Sequence, residues 1–383
     1  MNVLTLDWET TIRNKGNPFD LNNIGTVCGF KFLDMKSWDV YFDEKGFRDT
    51  LQDAVENSDL LVGFNLKFDL HWCQREGVDF SGKRIWDCQL AEFILEDMKN
   101  PYPSLNQAAE KYGLPKKLDV VKTEYWDKGI DTDAIPREIL SDYLRQDLTL
   151  TEQVYLKQKE QFEGEAKGKY ALFKLQCLDL LTLQEMERSG IFFNAEKARA
   201  KAEEIQSELD ELQATFSGWF NNAPINLNSN DHLSAILYGG IITIDDRIPV
   251  GVFKTGAKVG EVRYKIIKKE YTFERLVEPL RGSETAKEGY WKVNEDVLRQ
   301  LKPNKHVKKV LDLLDRYSKL DKLKNTYLIG WSNLIDTMGW EPNMIHGNLN
   351  MCVAQTGRLS STKPNLQNAD PTTKVFCESR YDS

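Results

Sequence analysis

The chain has 383 residues, of which 41% are hydrophobic and 29% are charged, and its formal net charge at pH 7 is −8. This is the composition of a soluble globular protein, and the length predicts two or three domains. No apolar run approaches a membrane span and no signal peptide precedes the first strand, so we expect no membrane partner and a cytoplasmic location, in the host cytoplasm if the protein is viral. Six scattered cysteines and four histidines disfavour a disulfide framework and a zinc site.

The charge is unevenly distributed along the chain. Residues 1 to 160 carry a net charge of −9, whereas residues 254 to 309 hold 15 basic and 8 acidic side chains. An acidic region suits a site that binds metal ions. The basic segment is expected to contact phosphates, and a solvated surface explains it equally well.

The first predicted strand ends in two carboxylates. Val3, Leu4 and Leu6 predict a buried strand. Asp7 and Glu9 differ by two positions, so both side chains point to the same face of that strand. Two like charges on one face of a core strand are costly unless a cation lies between them, and a divalent metal ion is the usual cation.

Two later segments offer further oxygen ligands. A second apolar strand leads through Asn65 into a predicted helix with Asp69 in its first turn. A long helix predicted from residue 136 towards 155 carries Tyr143 and Asp147, which are four positions apart and therefore share a face. A single Asp at such a position is more often a helix cap or a solvated acid.

The rest of the first 165 residues alternates strands and helices, which predicts a mixed α/β domain. Extended stretches are expected near residues 26–32 and 39–42, and helices over residues 47–56 and 105–112. Asp87 directly precedes an apolar periodic pattern, so it is interpreted as a helix N-cap rather than a metal ligand.

Residues 166 to 335 are predicted to be mainly helical. The first helix is expected to bury one apolar face, formed by Leu172, Leu175, Leu178, Leu181 and Met186. It is expected to end at Gly190, and a second helix is predicted over residues 195–216. Between residues 239 and 290 the helical pattern gives way to glycines, lysines and short β-like pieces. Residues 346–361 are predicted to be extended.

These motifs resemble those of a known family. D-x-E at residues 7–9, N-L-K-F-D at 65–69 and Y-x-x-x-D at 143–147 resemble the three motifs of the DEDDy group, the 3′→5′ proofreading exonucleases attached to family A DNA polymerases. T-G-R-L-S-S-T-K-P-N-L-Q-N at residues 356–368 resembles the stretch that leads into the palm of that family. The chain thus resembles the N-terminal part of a phage-type family A DNA polymerase.

The resemblance implies three domains and a site. Residues 1–165 would form a ribonuclease-H-like exonuclease domain with a mixed sheet, residues 166–335 a helical thumb with a basic insertion at about 239–290, and residues 336–383 an incomplete start of the palm. Two Mg²⁺ or Mn²⁺ ions would support phosphodiester hydrolysis at DNA 3′ ends. The implied metal ligands are Asp7, Glu9 and Asp147 for one ion, and Asp7 with Asp69 for the other. Tyr143 and Glu9 would orient the attacking water, and Asn65 would contact the substrate.

The resemblance also implies partners. Arg358, Asn365 and Gln367 would contact the DNA near the primer terminus, so both single-stranded 3′ ends and primer-template are expected ligands. The segment at 239–290 would capture a processivity partner, as in some phage members of the family, or would contact duplex phosphates directly. The sequence leaves these two alternatives open.

The palm carboxylates of the family, in its D-x-S-x-x-E and H-D-E motifs, are not found in the sequence. Asp382 is not expected to replace them, and the apolar residues around Met351 are expected to lack a sheet with which to pair. We therefore expect a second chain that carries the palm and fingers, as in a split polymerase. A truncated polypeptide is the alternative.

Two other functions are compatible with the first three motifs. A free-standing 3′→5′ exonuclease of the ribonuclease D or helicase-linked kind would use the same carboxylates but has no reason to carry residues 356–368. A non-enzymatic DNA-binding scaffold would not need a complete set of carboxylates together with Tyr143.

Overall fold

The structure is a computed structural model that describes residues 1–117 and 120–380, so Asp382 lies outside the described residues. The chain forms two compact units. The first unit combines Met1–Ala195 with Trp331–Ser383, and the second is Glu196–Gly330. Within the described ranges, no helix is long and apolar enough to cross a bilayer.

A five-stranded mixed sheet organises the first unit. Its strands are β1 (Val3–Thr10), β2 (Gly25–Phe32), β3 (Ser37–Tyr41), β4 (Leu60–Gly63) and β5 (Arg84–Asp87). The strand order is β3-β2-β1-β4-β5, with β2 antiparallel to β1 and β4 parallel to it. The central strand β1 is buried along almost its whole length, as its apolar sequence predicts. The predicted mixed α/β class and mixed sheet are confirmed.

The α-helices that the described part of this unit carries before residue 190 accompany the sheet. They are α1 (Phe47–Glu56), α2 (Leu66–Arg75), α3 (Cys88–Leu95), α4 (Leu105–Lys111), α5 (Val120–Glu124), α6 (Arg137–Glu163) and α7 (Tyr170–Ser189). The prediction of Asp87 as an N-cap is confirmed, because its carboxylate accepts hydrogen bonds from the N–H groups of Gln89 and Leu90 at 2.8 and 3.0 Å.

Helix α7 differs from its prediction in the face that it buries. Phe173, Cys177 and Leu180 are buried in the same core as Trp86 of β5, and the Phe173 and Trp86 rings are 4.6 Å apart. The prediction of the leucine face was wrong, since the exposed side chains of this helix include Leu172, Leu175, Leu178 and Met186. Because α7 packs on the first sheet's core, it lies in the first unit, whereas the sequence had suggested a boundary at residue 165.

The second unit combines helices with a long β-hairpin. Its elements are α8 (Ala195–Trp219, from residue 196 onward), α9 (Asn230–Tyr238), β7 (Gly240–Val252), β8 (Val262–Phe273), α10 (Glu295–Gln300) and α11 (Lys305–Lys322), followed by a π-helix at Leu323–Leu328. Strands β7 and β8 pair antiparallel. Only the base of this hairpin joins the unit's core, with Ile242 buried and Phe273 packed beside it.

The C-terminal segment returns to the first unit through short strands. Helix α12 (Ile329–Met338) is followed by β9 (Met344–Ile345), which pairs with β6 (Ile191–Phe192), and by β10 (Asn348–Asn350), which pairs with β11 (Ser360–Thr362). The residues around Met351 were predicted to lack a sheet with which to pair. Leu349 does pair with Ser361 in the β10–β11 sheet, whereas Met351 and Cys352 lie in no strand. Cys352 is buried in the first unit's core, and its carbonyl accepts a hydrogen bond from the Tyr102 N–H at 2.9 Å.

Candidate metal centre

Strand β1 and helix α6 supply the carboxylates that the structure brings together. Asp7 and Glu9 lie opposite Gly29 and Val27 of β2. Helix α6 packs closely over Gly29, where an added Cβ would lie 2.6 Å from the Leu144 side chain. Because Gly29 has no side chain, α6 can come this close to the sheet.

Asp7, Glu9 and Asp147 form the resulting cluster. One carboxylate oxygen from each lies within 4.8 Å of the others, and Glu9 and Asp147 are buried. Three carboxylates at this separation repel one another strongly in a poorly solvated site. A donor set of carboxylate oxygens alone suits a hard divalent cation such as Mg²⁺ or Mn²⁺, so these residues fit the predicted metal ion.

Asp69 approaches the cluster from helix α2. It is buried, and its Oδ1 accepts a hydrogen bond at 2.9 Å from the N–H of Trp8, the residue between Asp7 and Glu9. It lies outside the group of three, so the structure holds it beside the strand rather than within the tightest cluster.

Two of these acids have pKa values above the usual range for aspartate. Burial raises the pKa of Asp7 to about 8, the charge of Asp147 adds to the rise, and the charge of Lys117 opposes it. Burial also raises the pKa of Asp69 well above its usual range, with a further contribution from Asp7. Both shifts arise first from burial of the carboxylates, and the neighbouring negative charges add to them.

Tyr143 lies one helical turn before Asp147 on α6. Its side chain is buried, and its ring meets the Trp126 ring edge-on at 6.0 Å. Asn65 is the N-cap of α2 and adopts a left-handed backbone conformation with φ of 61°. That conformation turns the chain sharply from β4 into the helix that carries Asp69.

The residues predicted to contact DNA lie outside the carboxylate cluster. Arg358, Asn365 and Gln367 are all exposed. The Asn365 side chain accepts a hydrogen bond from the Asn368 N–H at 3.2 Å and so caps a short turn. Arg358 lies at the surface within the T-G-R-L-S-S segment, and Gln367 lies at the surface in the residues that follow it.

Sequence reasoning missed Lys117. Its ammonium group hydrogen-bonds to Oδ2 of Asp147 and lies 3.6 Å from the centre of the Tyr143 ring. The residue stands in a loop rich in Asp and Lys, where nothing in the local pattern distinguishes it from Lys116. Its contact spans 30 residues of sequence.

Sequence reasoning also missed a buried polar network that holds α2 in place. Glu187 of α7 accepts hydrogen bonds from the Lys67 ammonium at 2.6 Å and from His71 Nε2 at 2.8 Å. Lys67 also donates to the Leu349 carbonyl at 2.6 Å. The charge partners are separated by 120 residues, so no local pattern reveals them.

Comparisons with known proteins confirm the resemblance to family A DNA polymerases. Residues 265–380 match the family described as DNA polymerase family A. The chain is 25% identical over 334 residues to DNA polymerase I of Bacillus subtilis (strain 168), which covers 86% of this chain and 32% of that protein. It is 24% identical over 345 residues to the DNA polymerase of Bacillus phage SP01, which covers 83% of this chain and 35% of that protein. The chain thus spans about a third of the length of these relatives.

A solved structure shows the same fold. It is described as the POL domain of Pol1 from M. smegmatis in complex with DNA primer-template and dNTP. The TM-score is 0.65 at 16% identity, and the match covers 97% of this chain and 53% of that one. At 16% identity, this similarity is one of fold.

Proposed function

We propose that this chain is the 3′→5′ proofreading exonuclease and thumb portion of a family A DNA polymerase that acts in DNA replication. The observation that carries the exonuclease assignment is the convergence of Asp7, Glu9 and Asp147 within 4.8 Å, with Asp69 held against the same strand. The match over residues 265–380 favours a polymerase over a free-standing exonuclease.

Two divalent metal ions, Mg²⁺ or Mn²⁺, fit the chemistry of these donors. Asp7, Glu9 and Asp147 would hold one ion, and Asp7 with Asp69 would hold the other. When bound, such ions polarise the scissile phosphate and activate water for attack. The protein's own contribution is to fix the carboxylates on a buried strand and two packed helices.

The remaining site residues would position the reactants. Tyr143 and Glu9 would orient the attacking water through hydrogen bonds, which is a role of geometry and polarisation. Asn65 stands at the turn that begins α2, and we assign it to the substrate strand.

The exposed residues Arg358, Asn365 and Gln367 would contact primer-template DNA. Their support is the sequence motif, their exposure and the DNA primer-template named for the similar solved structure. A cytoplasmic site of action remains a prediction.

The exonuclease assignment is tested on a single-stranded DNA labelled at its 5′ end. With Mg²⁺ the protein should shorten it stepwise from the 3′ end, and EDTA should stop the reaction. Asp7→Ala should lower the rate by about a hundredfold or more, because even residues that only support metal ligands contribute 10- to 100-fold. Asp53→Ala, an exposed acid on α1, is the matched control and should digest normally.

Normal metal-dependent digestion by Asp7→Ala would refute the assignment. Binding of DNA without digestion by the unmodified protein would instead favour the DNA-binding scaffold.

A further inference from the structure

The carboxylate cluster contains a positive charge that belongs to the protein. The Lys117 ammonium contacts Oδ2 of Asp147 and stands over the Tyr143 ring at 3.6 Å. Its side chain is only 13% exposed, and that of Asp147 is 10% exposed. A lysine this deeply placed loses much of its hydration, which is tolerated where a carboxylate and an aromatic face replace the water.

The charge of this lysine acts on more than its direct partner. Asp147 lies with Asp7 and Glu9 in the group whose carboxylate oxygens are within 4.8 Å of one another. Lys117 lowers the pKa of Asp7, against the larger effects of burial and of Asp147. The ammonium therefore lies against Asp147 and offsets part of the repulsion between Asp147 and Asp7.

A loop position and a flexible side chain distinguish Lys117 from a rigidly held cation. It lies in the loop that follows α4 (Leu105–Lys111), and its ammonium is carried by four flexible methylene groups. Lys67, which lies on helix α2, is held by both Glu187 and the Leu349 carbonyl. Lys117 can therefore release Asp147 without any displacement of β1 or α6.

We propose that Lys117 is a resident cation of this site, which neutralises Asp147 in the metal-free protein and gives up that carboxylate when a divalent metal ion binds. The proposal rests on the metal-dependent function proposed above. Lys117 is thus a positioning residue: it keeps the ligands together without metal and competes with the metal ion for Asp147.

Two opposite effects follow from removing the charge. Lys117→Met keeps the apolar stem and deletes the ammonium. Without its competitor, Mn²⁺ should bind about tenfold more tightly, which corresponds to about 1.4 kcal/mol. Without its counter-ion, the metal-free protein should melt about 3 to 6 °C lower in EDTA. A side chain with a merely structural role would lower the melting temperature without tightening metal binding.

The experiment titrates each protein with Mn²⁺ alone, followed by electron paramagnetic resonance, and measures melting in EDTA. Lys116→Met is the matched control, since Lys116 is 58% exposed and paired with the exposed Glu110. It should change neither quantity. Lys117→Arg keeps the charge and should return the Mn²⁺ affinity to within about threefold of the unmodified protein.

The outcomes separate this proposal from the function on which it depends. If Mn²⁺ binds the unmodified protein and Asp7→Asn abolishes that binding, while Lys117→Met leaves the affinity unchanged, the role of Lys117 is refuted and the metal centre stands. If Asp7→Asn leaves Mn²⁺ binding unchanged, the metal centre itself is refuted and the role of Lys117 falls with it.

A second measurement needs no substitution. An amine-acetylating reagent followed by mass spectrometry reports how accessible Lys117 is, with Lys116 as the internal reference. Addition of Mg²⁺ should raise the modification of Lys117 relative to Lys116, because the ammonium is released from Asp147. If Mg²⁺ leaves the modification of Lys117 relative to Lys116 unchanged or lowers it, the proposed release of Asp147 by Lys117 is refuted.

Discussion

Tyr143 and Asp147 share a face of α6, but one carries a neutral hydroxyl and the other a carboxylate. Replacing each of them should therefore change the activity by a different amount. Tyr143→Phe removes one hydroxyl and no charge, and it keeps the ring that contacts Trp126 and the Lys117 ammonium. We expect it to slow digestion of single-stranded DNA by about 10- to 100-fold.

Asp147→Ala removes a charged member of the carboxylate cluster and should lose more activity than Tyr143→Phe in the same single-turnover assay. Equal losses would show that the Tyr143 hydroxyl has a larger part in the reaction than orientation of the water.

His346 predicts a pH dependence of stability. The ring is buried, stacks on Phe19 at 4.3 Å and donates from Nδ1 to the Glu187 carbonyl at 2.8 Å. Burial lowers the pKa of His346 below 6.5, and this effect exceeds the opposing hydrogen bond to Glu187. The charged and titratable groups that also act on it are Glu341, His71 and Arg380.

The sign follows from proton uptake. The unfolded chain binds a proton at this histidine near pH 6.5 and the folded chain only at lower pH, so its contribution to stability is present above about pH 6.5 and is lost as the pH falls through that value. The unfolding free energy, measured by urea titration, should therefore fall between about pH 7.5 and 5.5. His346→Gln should make this fall smaller by up to about 1.4 kcal/mol. His306→Gln, at an exposed position of α11, should leave the loss unchanged.

At the scale of elements, Asp87 joins the starts of two helices. Its carboxylate caps α3 and also accepts a hydrogen bond at 2.9 Å from the N–H of Leu66, the first residue of α2. Asp87→Ala would leave buried N–H groups without an acceptor, so we expect a loss of about 2 to 4 kcal/mol in urea unfolding. Ser104→Ala removes an exposed cap from α4 and should cost about 1 kcal/mol.

Since α2 carries Asp69, Asp87→Ala should also weaken Mn²⁺ binding, whereas Ser104→Ala should not. A loss no larger for Asp87→Ala than for Ser104→Ala would argue against a joint capping role.

The sequence predicted elements whose signals are local. Helix α1 and the Asp87 cap follow from periodicity and from one capping residue, and the order of the carboxylate motifs is readable along the chain. The buried face of α7 was not predictable in this way, because the helix carries two apolar stripes. The stripe with fewer leucines is the buried one, since Phe173 meets Trp86 of a distant strand. Cys352 and Lys117 likewise owe their positions to contacts remote in sequence.

At the scale of the whole molecule, the charge is divided between the two units. The acidic cluster lies in the first unit, whereas residues 254–309, with 15 basic and 8 acidic side chains, lie in the second. Part of this basic segment is the outer end of the β7–β8 hairpin, which is exposed beyond the core contacts of Ile242 and Phe273. The hairpin can therefore be shortened without opening the core.

Replacing residues 249–264 by Asn-Gly tests whether this end contacts phosphates. Ile248 and Lys265 are paired, so a two-residue turn can close the shortened hairpin. The change removes Lys254, Lys258 and Arg263. If all three contact phosphates, the slope of log binding constant against log salt for primer-template DNA should become shallower by about 2 to 3. Digestion of single-stranded DNA by the first unit should be unchanged, which serves as the internal control. An unaltered slope with intact folding would exclude direct phosphate contact here and would leave a protein partner or a solvated surface as the explanation of these charges.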